Sequence, residues 1–218
     1  MILTVGNTKG GVGKTTLAIT IAIAWAADGR DLLLVDGDEQ RTALTFTELR
    51  TERLGSPGYT AVALDGPAIR TQVRQLAPKY DDVVIDVGGR NTGSLRAALT
   101  VSDLVLIPTP PRSFDLWAVD QMAELVSEAR ELNPELRALL LINAADPQGS
   151  DNQDAAAALR ETPGMAVLPL TIGRRKAFPN AAAAGRAVIE QGRDRDAKAV
   201  AEVMALVQTL CIHRPAEV

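Results

Sequence analysis

Short apolar runs alternate along this chain with longer stretches of helical period. The runs fall at residues 2–5, 32–35, 59–64, 83–87, 104–107, 139–142 and 165–168. Each has the length of a strand buried on both faces. Between them, helical patterns cover 15–27, 42–53, 67–76, 93–99, 114–132 and 153–161, with two more near the end. Gly29, the cluster Gly55, Ser56, Pro57 and Gly58, then Pro78 and Pro134 stand where helices should stop. Regular alternation predicts parallel βαβ units. The expected fold is therefore α/β, a mostly parallel twisted sheet of about seven strands with helices on both faces.

Composition narrows this picture. A length of 218 residues suits one domain, and no linker or internal repeat divides it. Hydrophobic residues make up 46% but aromatics only 3%, so the core must be built from Ala, Val, Leu and Ile. The alanine-rich runs "DAAAALRE" and "NAAAAG" read as ordinary helix. The one cysteine, Cys211, excludes an internal disulfide and a cysteine-rich metal centre within one chain. No apolar run approaches 18 residues, and no charged, apolar-cored leader opens the sequence. A cytoplasmic protein is expected, with a flexible tail over its last few residues.

Chemistry concentrates first in "TKGGVGKTT", residues 8–16, between a buried strand and a helix. A glycine-rich turn there lets successive backbone N–H groups converge on phosphate oxygens, backed by the positive end of the helix dipole. Gly10, Gly11, Val12, Gly13, Lys14, Thr15 and Thr16 would form such a cradle. Lys14 would reach the β- and γ-phosphates, and the Thr15 hydroxyl would take Mg2+. Strand "LLLVD" then ends in Asp36, with Asp38 two residues on, so both carboxylates can point the same way at the ligand-binding end of a sheet. "DDVVIDVGG" reads as a second acidic strand. Asp86 lies at its carboxyl end, Gly88 and Gly89 leave room for a γ-phosphate, and Asp81 and Asp82 read as solvated turn residues at its start.

One lysine suffices for a phosphate loop, yet Lys9 precedes Lys14 by five residues. "KGGVGKTT" resembles the deviant Walker A motif of the ParA/MinD family of P-loop ATPases, and the resemblance extends over nearly the whole chain. It implies that Lys9 reaches the phosphates bound by a second subunit, giving an ATP-dependent homodimer that sandwiches two nucleotides. Extra cations are what two facing polyphosphates need. The same resemblance puts Asp36 by the Mg2+ shell and gives Asp38 the attacking water, with Lys9 and Lys14 completing the catalytic set. Glu39 stands where relatives usually carry proline. Around the adenine, the resemblance implies Pro108, Pro111 and Asp115 of "IPTPPRSFD", with Arg112 at a position where small residues are common, and Asn143 at the end of "LLLIN".

Late in the chain, residues 171–198 carry Arg174, Arg175, Lys176, Arg186, Arg193, Arg195 and Lys198 against Glu190, Asp194 and Asp196. That is +4, leaving −8 on the rest of a chain at −4. Localised positive charge suits non-specific contact with double-stranded DNA, and in ParA proteins this region has that role. No helix-turn-helix precedes the loop at residue 8, so base-specific reading is not expected.

The leading expectation is a ParA-type ATPase, weak alone, nucleoid-associated, and stimulated by a ParB-like or other adaptor on the cargo it positions. A MinD-like membrane cycle would need an amphipathic C-terminal helix, whereas the chain ends "CIHRPAEV". An iron–sulfur relative would need paired cysteines. A P-loop kinase or ligase such as dethiobiotin synthetase would need a dedicated substrate pocket, and would not call for Lys9.

Overall fold

The computed structural model describes residues 1–89, 92–111, 116–148, 150–192 and 195–214. Seven strands form one parallel sheet: β1 (Ile2–Val5), β2 (Leu32–Asp36), β3 (Thr60–Ala63), β4 (Asp82–Asp86), β5 (Leu104–Thr109), β6 (Arg137–Ala145) and β7 (Ala166–Gly173). Their order is β3-β2-β4-β1-β5-β6-β7, every pairing parallel. The order in which strands are added thus reverses beside β1, where ligands bind in such folds.

Helices α1 (Lys14–Ala27), α2 (Thr42–Leu54), α7 (Ala177–Ala183) and α8 (Ala197–Ile212) cover one face. Helices α3 (Pro67–Leu76), α4 (Thr92–Leu99), α5 (Leu116–Arg130) and α6 (Asp151–Arg160) cover the other. Helix α1 is buried continuously from Leu17 to Trp25, because it lies between the sheet and α8. Its alanines let the backbones approach closely, so the aromatic-poor core still fills. Helix α8 packs Ala199, Val203, Leu206, Val207 and Leu210 into this core. No described helix is long and apolar enough to cross a membrane.

The last strand runs past its expected end at residue 168. Pro169 lacks an N–H, and the register slips there: Leu140 pairs with Val167 but Ile142 with Thr171. An edge-strand bulge absorbs the proline, and the strand continues.

Asp82 overturns its reading as a solvated turn residue. Its side chain is fully buried and meets the Met1 ammonium at 3.1 Å, Arg30 at 3.2 Å and Arg214. Arg214 also lies over the buried Trp25 ring, 5.5 Å from its centroid. This carboxylate ties the amino ends of β1 and β4 to the end of α8. Asp81 does stay exposed, accepting from the Asp31 N–H at 2.8 Å.

Candidate nucleotide site

The site forms where β1, β2 and β4 end and α1 and α2 begin. Leaving β1, the chain wraps into a loop whose Gly11 and Gly13 have φ of +72° and +90°, values that side chains resist. At Gly13 a Cβ would also come within 2.3 Å of Asn143 Nδ2, so glycine is required there on both counts. Gly13 is the N-cap of α1, which points the helix's positive end into the loop.

Polar groups hold this loop from beneath. Asn7 Nδ2 donates to the Pro108 carbonyl and Asn7 Oδ1 accepts from the Lys9 N–H, both at 2.9 Å. The Lys14 ammonium donates to the Lys9 carbonyl at 2.7 Å. Burial pushes the Lys14 pKa down, with Asp86 and Asp38 pulling it back up.

Asp36 and Asp86 are register partners on β2 and β4. Both Asp36 oxygens take backbone N–H groups, Oδ1 from Asp38 at 3.1 Å and Oδ2 from Leu44 at 2.9 Å. Asp36 therefore shapes the loop into α2. Asp38 sets the turn where Glu39 replaces the usual proline: Oδ1 accepts from the Gln40 N–H at 3.1 Å, and its carbonyl from the Arg41 N–H at 3.0 Å.

Asp86 is different. It is 1% exposed, and neither oxygen is held by a hydrogen bond of good geometry. Burial pushes its pKa up to about 7; Asp36 and Asp38 add to the rise, while the Thr15 hydroxyl beside it and Lys14 oppose it. A buried carboxylate so weakly held is unfavourable unless a cation completes it. Carboxylate and hydroxyl oxygens together are the donor set that Mg2+ takes, so Asp86 and Thr15 fit that ion.

Gly88 and Gly89 bring the loops together. A Cβ at Gly88 would lie 2.7 Å from Asp38 Cγ, and one at Gly89 2.9 Å from the carbonyls of Lys9 and Thr8. The glycines admit Asp38 and the phosphate loop itself. The result is a polar cleft of about 770 Å³, with Gly10, Gly11, Gly13, Lys14, Thr15 and Thr16 on one side and Asp38, Glu39, Gln40 and Gly89 on the other. Lys9 is half-buried at its edge and Val12 is buried.

A smaller cleft of about 160 Å³ adjoins it at Gly13 and Thr16, lined by Asn143, Ile172, Gly173, Arg175 and Phe178. Asn143 thus lies on the wall between the loop and this second cleft. It also donates to the Val12 carbonyl at 2.7 Å, aimed by a bulge at Ala144, whose φ is +53°. Pro108 and Pro111, expected against the base, are both buried; Pro108 lies within β5, where its carbonyl accepts from Asn7. Asp115 and Arg112 lie outside the described residues.

Among the basic residues, Arg174, Lys176, Arg186, Arg195 and Lys198 are exposed. Arg193 lies outside the described residues. Arg175 departs from the DNA-facing expectation: it is half-buried, paired with Glu202 of α8 and with Asp196 at 3.7 Å, and its guanidinium packs on Gly173. Its charge is neutralised locally, so it walls the small cleft. The buried Arg50 and Asp82 were not singled out as paired from sequence, because their partners are remote along the chain.

The sequence pattern of the CobQ/CobB/MinD/ParA nucleotide binding domain matches residues 3–188. The chain belongs to this family. Among the relatives of this CobQ/CobB/MinD/ParA member is the maintenance of carboxysome distribution protein A of Halothiobacillus neapolitanus, 31% identical over 192 residues and covering 87% of both chains. Another is the chromosome-partitioning ATPase Soj of Thermus thermophilus, 30% identical over 94% of this chain and 96% of that one. In fold, the family member superposes on the ATP complex of Cyanothece McdA with a TM-score of 0.78, over 100% of this chain and 98% of that chain at 17% identity.

Proposed function

We propose that this chain is a ParA-type positioning ATPase, a single domain that binds ATP with Mg2+, pairs with a second copy while ATP is bound, and moves a cargo over DNA. The observation that carries the reading is the glycine loop whose Lys14 ammonium donates to the Lys9 carbonyl at 2.7 Å, set beside the buried Asp86 and the Thr15 hydroxyl. Kinship with proteins named for carboxysome distribution and chromosome partitioning supports the positioning role, with a large protein assembly or a DNA molecule as cargo.

In this account the N–H groups of residues 10–16 bind the phosphates, and Lys14 exchanges the Lys9 carbonyl for a phosphate oxygen. Thr15 and Asp86 hold Mg2+, with Asp36 behind them; the bound ion would neutralise charge on the terminal phosphates. Asp38, kept in place over Gly88, orients the attacking water and receives its proton. Lys9 reaches the partner's phosphates, and Asn143 faces the base. The exposed Arg174, Lys176, Arg186, Arg195 and Lys198, with Arg193, meet DNA phosphates, and pairing two subunits doubles that surface. Hydrolysis, slow alone and stimulated by a cargo-bound adaptor, separates the dimer and frees it from the nucleoid.

The test uses an Asp38→Ala variant, expected to hold ATP without hydrolysing it, and a random-sequence duplex. Binding should appear with ATP, be absent with ADP, and weaken steeply with salt. Absence of binding with ATP at low salt would overturn the DNA-carrier reading.

A further inference from the structure

Helix α2 is held at its two ends by different parts of the molecule. Its first turn hangs on the nucleotide loop: Asp36 Oδ2 takes the Leu44 N–H at 2.9 Å, and Arg41 Nη1 donates to the Asp36 carbonyl at 2.8 Å. Six residues further on, about 9 Å along the helix, the buried Arg50 turns away from the sheet. Its Nε donates to the Pro57 carbonyl at 2.8 Å and Nη1 to the Gly185 carbonyl at 3.0 Å. Nη1 and Nη2 also grip both oxygens of Glu190 at 2.7 Å. Glu190 in turn takes the Ala187 N–H at 2.8 Å, so one carboxylate closes the 188–190 turn and holds Arg50. The fit is close: Gly185 has φ +67°, and a Cβ there would approach Arg50 Cα to 3.0 Å.

Between these ends α2 packs only in part against α7 and the residues that follow it. A cavity of about 510 Å³ separates Phe46 and Leu49 of α2 from Phe178, Ala182 and Val188, and reaches the phosphate cleft at Thr15, Thr16, Gln40 and Thr42. Close-packed interiors resist displacement. Here the cavity leaves room for α2 to tilt, and the polar ties at each end decide where it lies.

We propose that Arg50 is a positioning residue that passes the state of the nucleotide loop to residues 185–190, and so to the exposed Arg186 between them. The inference rests on the nucleotide binding proposed above. A ligand that re-pairs Asp36 re-aims the first turn of α2. A bidentate guanidinium–carboxylate pair fixes distance and direction at once, so the far end of the helix carries Glu190 with it. Arg186 lies between two residues whose backbone groups Arg50 and Glu190 hold, and its orientation follows.

The experiment is hydrogen–deuterium exchange of residues 185–190 in the full chain, without nucleotide and with Mg-ATP, on an Asp38→Ala background. It compares the Arg50 and Glu190 pair with an Arg50→Met, Glu190→Met double variant, which leaves no orphan charge. Exchange in the paired protein should slow by about threefold or more on adding Mg-ATP, and in the double variant by less than about 1.5-fold, with ATP affinity within about threefold of the parent. Should the double variant not fold, Glu190→Gln, which keeps the shape and weakens the pair, should give an intermediate response. An equal response with and without the pair, or none in the parent, overturns the coupling. Failure to bind ATP at all overturns the proposed function and the coupling together. Coupled exchange without DNA binding removes only the DNA reading.

Discussion

The Lys14 ammonium donates to the backbone carbonyl of Lys9 at 2.7 Å, closing the phosphate loop upon itself. The lysine that would bind this subunit's nucleotide therefore holds the backbone of the lysine that would reach the partner's. A phosphate oxygen competing for Lys14 would release that carbonyl, while the Lys9 N–H stays with Asn7 Oδ1. Lys14→Met should lower ATP affinity by about 100-fold or more. It should leave thermal stability equal or higher, because a buried charge is removed. Nucleotide titration and a melting curve check both.

Asp86 gives a pH-dependent prediction. Its pKa is raised from 3.8 to about 7 in the fold, so the folded state holds its proton more tightly than the unfolded chain does. The resulting contribution to stability is fully present below 3.8 and is lost as pH rises through about 7; its ceiling is about 4 kcal/mol. Asp86→Asn should therefore melt higher than the parent at pH 8 without nucleotide, and the advantage should shrink by about half or more at pH 5. With Mg-ATP the order should reverse, since the amide cannot hold the ion, and hydrolysis should fall by about 100-fold.

Gly88 tests the placement of Asp38. A Cβ at Gly88 would lie 2.7 to 2.9 Å from the Asp38 carboxylate, which must then move. Gly88→Ala should cut hydrolysis by about tenfold while leaving ATP affinity within about threefold, because a misplaced catalytic group affects rate before binding. An unchanged rate would separate Asp38 from the chemistry.

At the opposite end of β4, Asp82→Ala takes a partner from the Met1 ammonium, which keeps the Asp81 carbonyl at 3.1 Å, and strands the guanidinium groups of Arg30 and Arg214. Both are about one quarter exposed and can turn toward water, so the loss should be about 3 kcal/mol, the lower end for a broken buried pair. Urea unfolding measures it. Nucleotide affinity should not change.

Asp82 also shows where sequence reading stops. The alternation of apolar runs and helices is local, and it located all seven strands, as the spacing of Gly13, Lys14 and Thr15 located the glycine turn from β1 into α1. An aspartate opening a strand looks like a turn residue until Arg30 and Arg214, far away in the chain, fold against it. Arg175 reads as one more positive charge until Glu202 of α8 meets it. Pro169 looks like a strand end because the bulge that accommodates it depends on pairing with β6. Pro108 and Pro111 carry the family's pattern, but their burial is a property of the assembled sheet. Charge and period are written along the chain, whereas pairing partners are set by topology.

In the proposed function Lys9 makes this loop a dimerisation switch. Light scattering on Asp38→Ala protein, with and without a Lys9→Ala substitution, tests it most directly. With Mg-ATP the molecular mass should double when Lys9 is present and stay monomeric when it is absent, while nucleotide binding by the Lys9→Ala chain persists. A doubled mass without Lys9, or no doubling with it, would contradict the account.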